Sequence, residues 1–148
     1  MASLSTRLTG DVGLIRRRLE ALASGDLYQE LGEAIGDVIV SASKKRFNRQ
    51  TGPDGRRWKA LAQPRARGGS KVLVDAGALR KSLASSVSGD ELTVGSPLEY
   101  AATHQYGDSG TDKLGRKRNI PARPFIGIDE DDEREIAGTV QDALGQLL

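Results

Sequence analysis

One apolar stripe limits the architectures open to this chain more than any other feature. Leu27, Leu31, Ile35, Val38, Ile39 and Ala42 recur at three- and four-residue spacing and lead on toward Phe47, the pattern of a single helix face. Asp26 stands where a helix start wants a side-chain cap, and Gly52-Pro53 supplies the stop. The spacing therefore predicts a long amphipathic helix whose stripe must be covered by elements elsewhere in the chain. Gly32 and Gly36, four apart on it, would admit a closely approaching backbone; the plainer reading is that each is tolerated at about 1 kcal/mol against Ala.

Shorter signals flank this helix. Val12, Ile15, Leu19 and Leu22 give a short amphipathic helix over Asp11–Ala23, broken by Ser24-Gly25-Asp26. Residues 48–70 have no sustained period, but they contain a Pro53-Asp54-Gly55 turn, an apolar anchor at Trp58 and Leu61, and a basic loop over Pro64–Gly69. Asp75 caps a short helix through Leu83, and Ser85–Val87 with Glu91–Val94 flank Ser88-Gly89-Asp90 as a β-hairpin placing Leu92 and Val94 on one face. Pro97–Tyr106 reads as a helix ended by Gly107, Asp108–Asn119 as a polar loop, and Arg123–Ile128 as strand-like. The last helix starts at Asp129 with acids in its first turn and a stripe of Ile136, Val140, Leu144 and Leu147. The order predicts one α+β domain over residues 1–148, its helices packed against a small antiparallel β-sheet, with long basic loops.

Apolar residues make up 37% of the chain and aromatics 4%, below the ~45–50% apolar usage of ordinary globular domains. Two readings follow: a subunit completed by its neighbours, or a small domain with long solvated loops. Charge is sorted along the chain. Lys44, Lys45, Arg46, Arg49, Arg56, Arg57, Lys59, Arg65, Arg67 and Lys71 face a single acid, Asp54, whereas from Asp129 onward Arg134 is the sole base among acids. Such sorting fits a polyanionic partner or contact between copies, and equally two solvated faces. No stretch approaches the ~18 apolar residues of a membrane span, and the N-terminus lacks a secretory pattern. A soluble protein made in the cytoplasm, with no membrane partner, is the expectation.

The candidates for chemistry do not assemble into a site. His104 is the only histidine and cysteine is absent, so no nitrogen or sulfur ligand set can form around it; it reads as a structural, hydrogen-bonded residue. The run Asp129-Glu130-Asp131-Asp132-Glu133 opens a helix and lacks the alternating oxygens of a calcium loop. Arg67-Gly68-Gly69-Ser70-Lys71 lacks P-loop spacing. No enzyme activity, metal or cofactor is expected.

Three segments in order resemble the phage virion morphogenesis, or tail-completion, family of Mu-like and contractile-tailed phages. The first is Phe47, then Pro53-Asp54-Gly55, then Trp58 and Leu61; the second is Asp75-Ala76-Gly77-Ala78-Leu79-Arg80-Lys81-Ser82. The third runs through Val94-Gly95-Ser96, Tyr100-Ala101, His104-Gln105-Tyr106-Gly107 and Ile120-Pro121-Ala122-Arg123-Pro124-Phe125-Ile126-Gly127. The likeness covers about residues 27–148, with residues 1–25 outside it; related head-tail joining and tail-terminator families share a looser version of the order. It implies a structural virion protein at the head-tail junction, completing or terminating the tail and joining it to the neck or portal side. The implied partners are further copies in a homo-oligomeric ring, a hexamer by likeness to tail-tube symmetry, together with tail-tube and connector proteins.

On this reading Phe47, Trp58, Leu61, Tyr100, His104, Tyr106 and Phe125 are structural anchors. Arg65, Arg67, Lys71, Lys113, Arg116, Lys117 and Arg118 are assembly contacts, with Asp129, Glu130, Asp131 and Asp132 as their acidic counterparts. The two basic loops have no apolar period to repay ~1–2 kcal/mol per residue of backbone ordering, so they are expected to order only against a partner. The alternative is a nucleic-acid-binding accessory protein using residues 44–71, its affinity falling steeply with salt.

Overall fold

The computed structural model describes residues 17, 20, 25–62, 72–73 and 77–147. The expected helix over Asp11–Ala23 and the loop carrying Arg65, Arg67 and Lys71 lie outside the described residues, as does Asp75.

The long helix, α1, spans Gly25–Arg49, about 37 Å at 1.5 Å per residue. Asp26 lies in its first turn and Arg46 and Arg49 in its last, each sign of charge at the dipole end that favours it. Gln50 ends the helix at φ 58°, a left-handed conformation that side chains other than Gly, Asn and Asp adopt reluctantly. Its amide offsets that strain: Nε2 donates to the carbonyls of Phe47 at 2.7 Å and Val72 at 2.9 Å, while Oε1 accepts from Val72 N at 2.6 Å. A single side chain thus caps α1 and ties in residue 72.

The α1 stripe is covered in two halves. Toward its N-terminus it packs against the hairpin of β1, Ala84–Ser88, and β2, Glu91–Gly95. The strands are antiparallel with Ser85 opposite Val94 and Val87 opposite Leu92, so these four share the half-buried face while Ser86, Ser88, Glu91 and Thr93 are exposed. Gly32 and Gly36 explain the closeness. A Cβ on Gly32 would sit 2.7 Å from Val87 Cγ2, and one on Gly36 2.5 Å from Ser85 Oγ; these glycines are needed by the packing, not merely tolerated.

The C-terminal half of α1 enters the main core, where Phe47, Trp58, Val72, Leu73, Leu79, Leu83, Ala101 and Phe125 are buried together. Leu79 comes from the short helix α2, Ala78–Ser82, and Ala101 from α3, Ala101–Tyr106. Both helices are shorter than the sequence signals imply. α2 starts after Gly77, which is itself left-handed at φ 67°. The last helix, α4, spans Glu130–Leu147 and packs along α1, with Ile136, Val140 and Leu144 half-buried.

Residues 123–128, strand-like by sequence, form no strand. Pro121 and Pro124 have no N–H to offer a ladder, and the Gln105 side chain supplies the partners a strand would have supplied. Its Oε1 accepts from Phe125 N at 3.0 Å and Ile126 N at 3.1 Å, and its Nε2 donates to Ile126 O at 2.9 Å. The architecture is α+β, helices against a two-stranded antiparallel sheet.

Candidate functional site: a pinned core and the surfaces it presents

The sequence segments that stand out individually converge on one cluster. The Phe47 ring meets Trp58 edge-on at 5.5 Å between centroids and Phe125 at 5.5 Å. Trp58 reaches this position because Pro53-Asp54-Gly55 turns the chain back: Gly55 N donates to Gly52 O at 3.0 Å, Asp54 Oδ1 accepts from Arg56 N at 3.0 Å, and Trp58 N returns to Gln50 O at 2.8 Å. The indole N–H then donates to Pro124 O at 2.8 Å, satisfying the one polar atom this ring carries into the core. Arg123 fastens the same strip of chain by donating to the carbonyls of Lys59 at 2.8 Å and Ala60 at 3.2 Å.

Arg46, which the sequence shows only as one member of the basic run over residues 44–71, is a second centre. It is 3% exposed. Its guanidinium donates to Gly127 O at 3.0 Å and Asp129 Oδ2 at 3.2 Å, and pairs closely with Asp132 Oδ2. Asp129 and Asp132 also cap α4 reciprocally, since Asp132 N donates to Asp129 Oδ1 at 2.9 Å and Asp129 N to Asp132 Oδ2 at 3.1 Å, the geometry of a capping box with Asp in place of Glu. The Asp132 backbone N–H first, and then Arg46, hold the Asp129 carboxyl below its ordinary range. Asp129 and Asp132, expected as assembly contacts, are therefore engaged within the subunit; Glu130 and Asp131 remain on the surface beside Arg134. The available signal was positional: Arg46 falls four residues after Ala42 on the apolar helix face, where a buried guanidinium needs hydrogen-bond or charge partners.

The expected anchors divide. Phe47, Trp58 and Phe125 are buried and Leu61 is partly buried against them. Tyr106 is 79% exposed and Tyr100 44%, so within the subunit neither is a core residue. His104 packs edge-on against Tyr100 at 5.8 Å, and its Nδ1 is buried without a hydrogen-bond partner among the described residues, so the expectation of a hydrogen-bonded ring fails at that atom. Burial, then the charge of Arg123, lowers its pKa from the ordinary 6.5. Together with Leu61, Val72, Leu73, Leu79 and Arg123, these two rings line a cavity of about 330 Å³.

The loop after α3 carries hydrogen bonds of its own. Gly107, at φ 78°, turns the chain out of α3. Bridges pair Asp108 with Ile120 and Thr111 with Lys117, making a narrow two-stranded arm. At its tip the Asp112 carboxylate accepts from Leu114 N at 2.9 Å and from Arg116 N and Nε at 2.9 and 2.7 Å, and these donors, the Arg116 backbone N–H first, lower its pKa. Arg118 pairs with Asp108 at 3.2 Å near the base. The result holds Leu114 outward, 76% exposed, between the exposed Lys113, Arg116 and Lys117.

The polar groups of the aromatic-and-arginine core are spent on pinning chain segments, and apolar and basic residues are displayed on the arm. The chain belongs to the phage virion morphogenesis family, whose profile matches residues 13–145; the match begins inside the N-terminal segment that the three sequence segments leave uncovered. Among its relatives, the putative capsid assembly protein G of Escherichia phage Mu is 29% identical over 154 residues, covering 99% of this chain and 98% of that protein. The Mu-like prophage FluMu G protein 2 of Haemophilus influenzae is 36% identical over 135 residues, covering 90% of this chain and 91% of the relative. No solved structure matches the chain. It is thus a phage protein with a structural or assembly role in building the virion.

Proposed function

We propose that this subunit works at the head-tail junction, where a homo-oligomeric ring of it completes or terminates the tail and joins it to the portal side, without catalysis. The match to the virion morphogenesis family along residues 13–145 carries the reading. The surface supports it: Tyr28, Tyr100, Tyr106, Leu114 and Ile128 are large apolar residues at least 44% exposed, which a chain with so small a core gains by burying against neighbours. Closed rings bring two different faces of each subunit together, and the arm tip is basic where the start of α4 is acidic in excess.

The test is electron microscopy of particles assembled without the protein. Free heads beside finished tails indicate joining, overlong tail tubes indicate termination, and normally joined infectious particles overturn the proposal. A native mass measurement of the purified assembly checks the expected hexamer.

A further inference from the structure

Two of the exposed apolar residues carry opposite electrostatic settings. Leu114, 76% exposed, sits at the arm tip among Lys113, Arg116 and Lys117; Ile128, 50% exposed, lies two residues before α4, whose exposed first-turn acids Glu130, Asp131 and Glu133 outnumber Arg134, the base that pairs with the first two. Neither is covered within the subunit, so the chain does not satisfy one with the other. The arm is also pre-formed. Asp112 commits its carboxylate to three donors around the tip, which fixes an apolar side chain in water before any partner arrives and so removes part of the ordering cost of binding.

We infer that the arm of residues 108–120 docks on a second copy of this chain, Leu114 packing against Ile128 while Lys113 and Lys117 meet Glu130 and Asp131. Complementary potentials set the register of such a contact, and the apolar pair supplies its centre. Arm and α4 start are different surfaces, so copies can meet head-to-tail, each giving one arm and receiving another as ring closure requires, whereas a reciprocal two-fold pairing would stop at the dimer. Arg116 and Arg118 are held back toward Asp112 and Asp108, which leaves Lys113 and Lys117 as the arm's bases without an ion pair among the described residues. The inference rests on the reading of the chain as a ring-forming subunit and names the contact that builds the ring.

The chain has no cysteine, so single thiols report cleanly. Leu114→Cys and Ile128→Cys variants of the full chain are purified separately, mixed, and treated with a short bismaleimide. The mixture is expected to give cross-linked dimer at least tenfold above either variant alone, and the double variant a ladder of higher species. In parallel, Lys113→Glu/Lys117→Glu should weaken self-association at least tenfold by sedimentation with an unchanged circular dichroism spectrum, and Glu130→Lys/Asp131→Lys in the same chain should restore it. Oligomers that persist without the mixed cross-link, or that ignore the charge reversal, overturn the inference. So does a reversal that abolishes binding to a DNA duplex while leaving self-association intact. If the cross-link and the rescue both appear but particles lacking the protein join normally, the contact stands and the head-tail placement fails.

Discussion

Replacing Arg46 with methionine keeps the bulk of the side chain and removes its charge and all its donors. Asp132, 6% exposed, would then keep a carboxylate in the interior with Asp129 N at 3.1 Å as its remaining hydrogen-bond donor, and the carbonyl of Gly127 would lose a 3.0 Å bond. Breaking a buried pair by removing one partner costs about 3–5 kcal/mol. That is a large share of the 5–15 kcal/mol typical of a domain, and at this size it lowers Tm by roughly 6–20 °C. Urea unfolding followed by the fluorescence of Trp58, the sole tryptophan, measures the change. Arg46→Lys should fall between, since an ammonium retains charge without the fork that spans Gly127 and the two aspartates. The double variant Arg46→Met/Asp132→Leu should recover more than half the loss, because it removes the stranded charge as well. A single-variant cost below about 1 kcal/mol, or a double variant no better than the single, would refute the view that burial of this pair is what fixes α4 to α1.

Trp58→Ala should cost on the order of 3–5 kcal/mol through the cavity it leaves beside Phe47, and Trp58→Phe about 1–3 kcal/mol through the unpaired Pro124 carbonyl, both read by thermal unfolding. Gly107→Ala should destabilise by more than 1 kcal/mol, since its φ is 78° and a Cβ would lie 2.8 Å from Ile120 O and 2.9 Å from Ala122 N; a neutral result would mean the arm base shifts freely. With its folded pKa lowered from 6.5, His104 contributes stability that is complete above that value and lost as pH falls from it through the folded pKa, because the unfolded chain takes the proton first. His104→Gln should flatten the stability curve in that window, as measured by urea midpoints from pH 7.5 to 5. Asp129, also lowered but a carboxylate, should yield its share only as pH falls below about 3.8 through the folded value, and Asp129→Asn should remove that acid sensitivity.

Local chemistry made much of the fold legible. A helix stripe followed by Gly52-Pro53 gives the course and the C-terminal end of α1 to within a few residues, since period and breaker act locally, while Asp26 lies in the first turn of the helix and not before it. Gly89 at φ 62° between the paired Ser88 and Glu91 is the positive-φ residue a two-residue hairpin needs, visible in sequence as Ser88-Gly89-Asp90. The Pro53-Asp54-Gly55 turn and the burial of Trp58 behind it are legible for the same reason. The strand-like look of residues 123–128 misleads, because extended backbone needs only a partner for its polar groups and Gln105 provides one from a helix.

What the sequence determined, then, is the helices and the hairpin, the burial of Phe47, Trp58 and Phe125, and the family to which the chain belongs, all written in neighbouring residues or in their order. Tertiary structure alone decided which charges are spent. Arg46 and Asp132 stand 86 residues apart and look like members of separate surface runs until α1 and α4 pack and strip both of water. Tyr106 and Leu114 look like anchor and loop filler until Gly107 turns the chain outward and leaves both in solvent. Charge and hydrophobicity are properties of residues, but their free-energy consequences depend on desolvation, and desolvation is fixed only when distant segments meet.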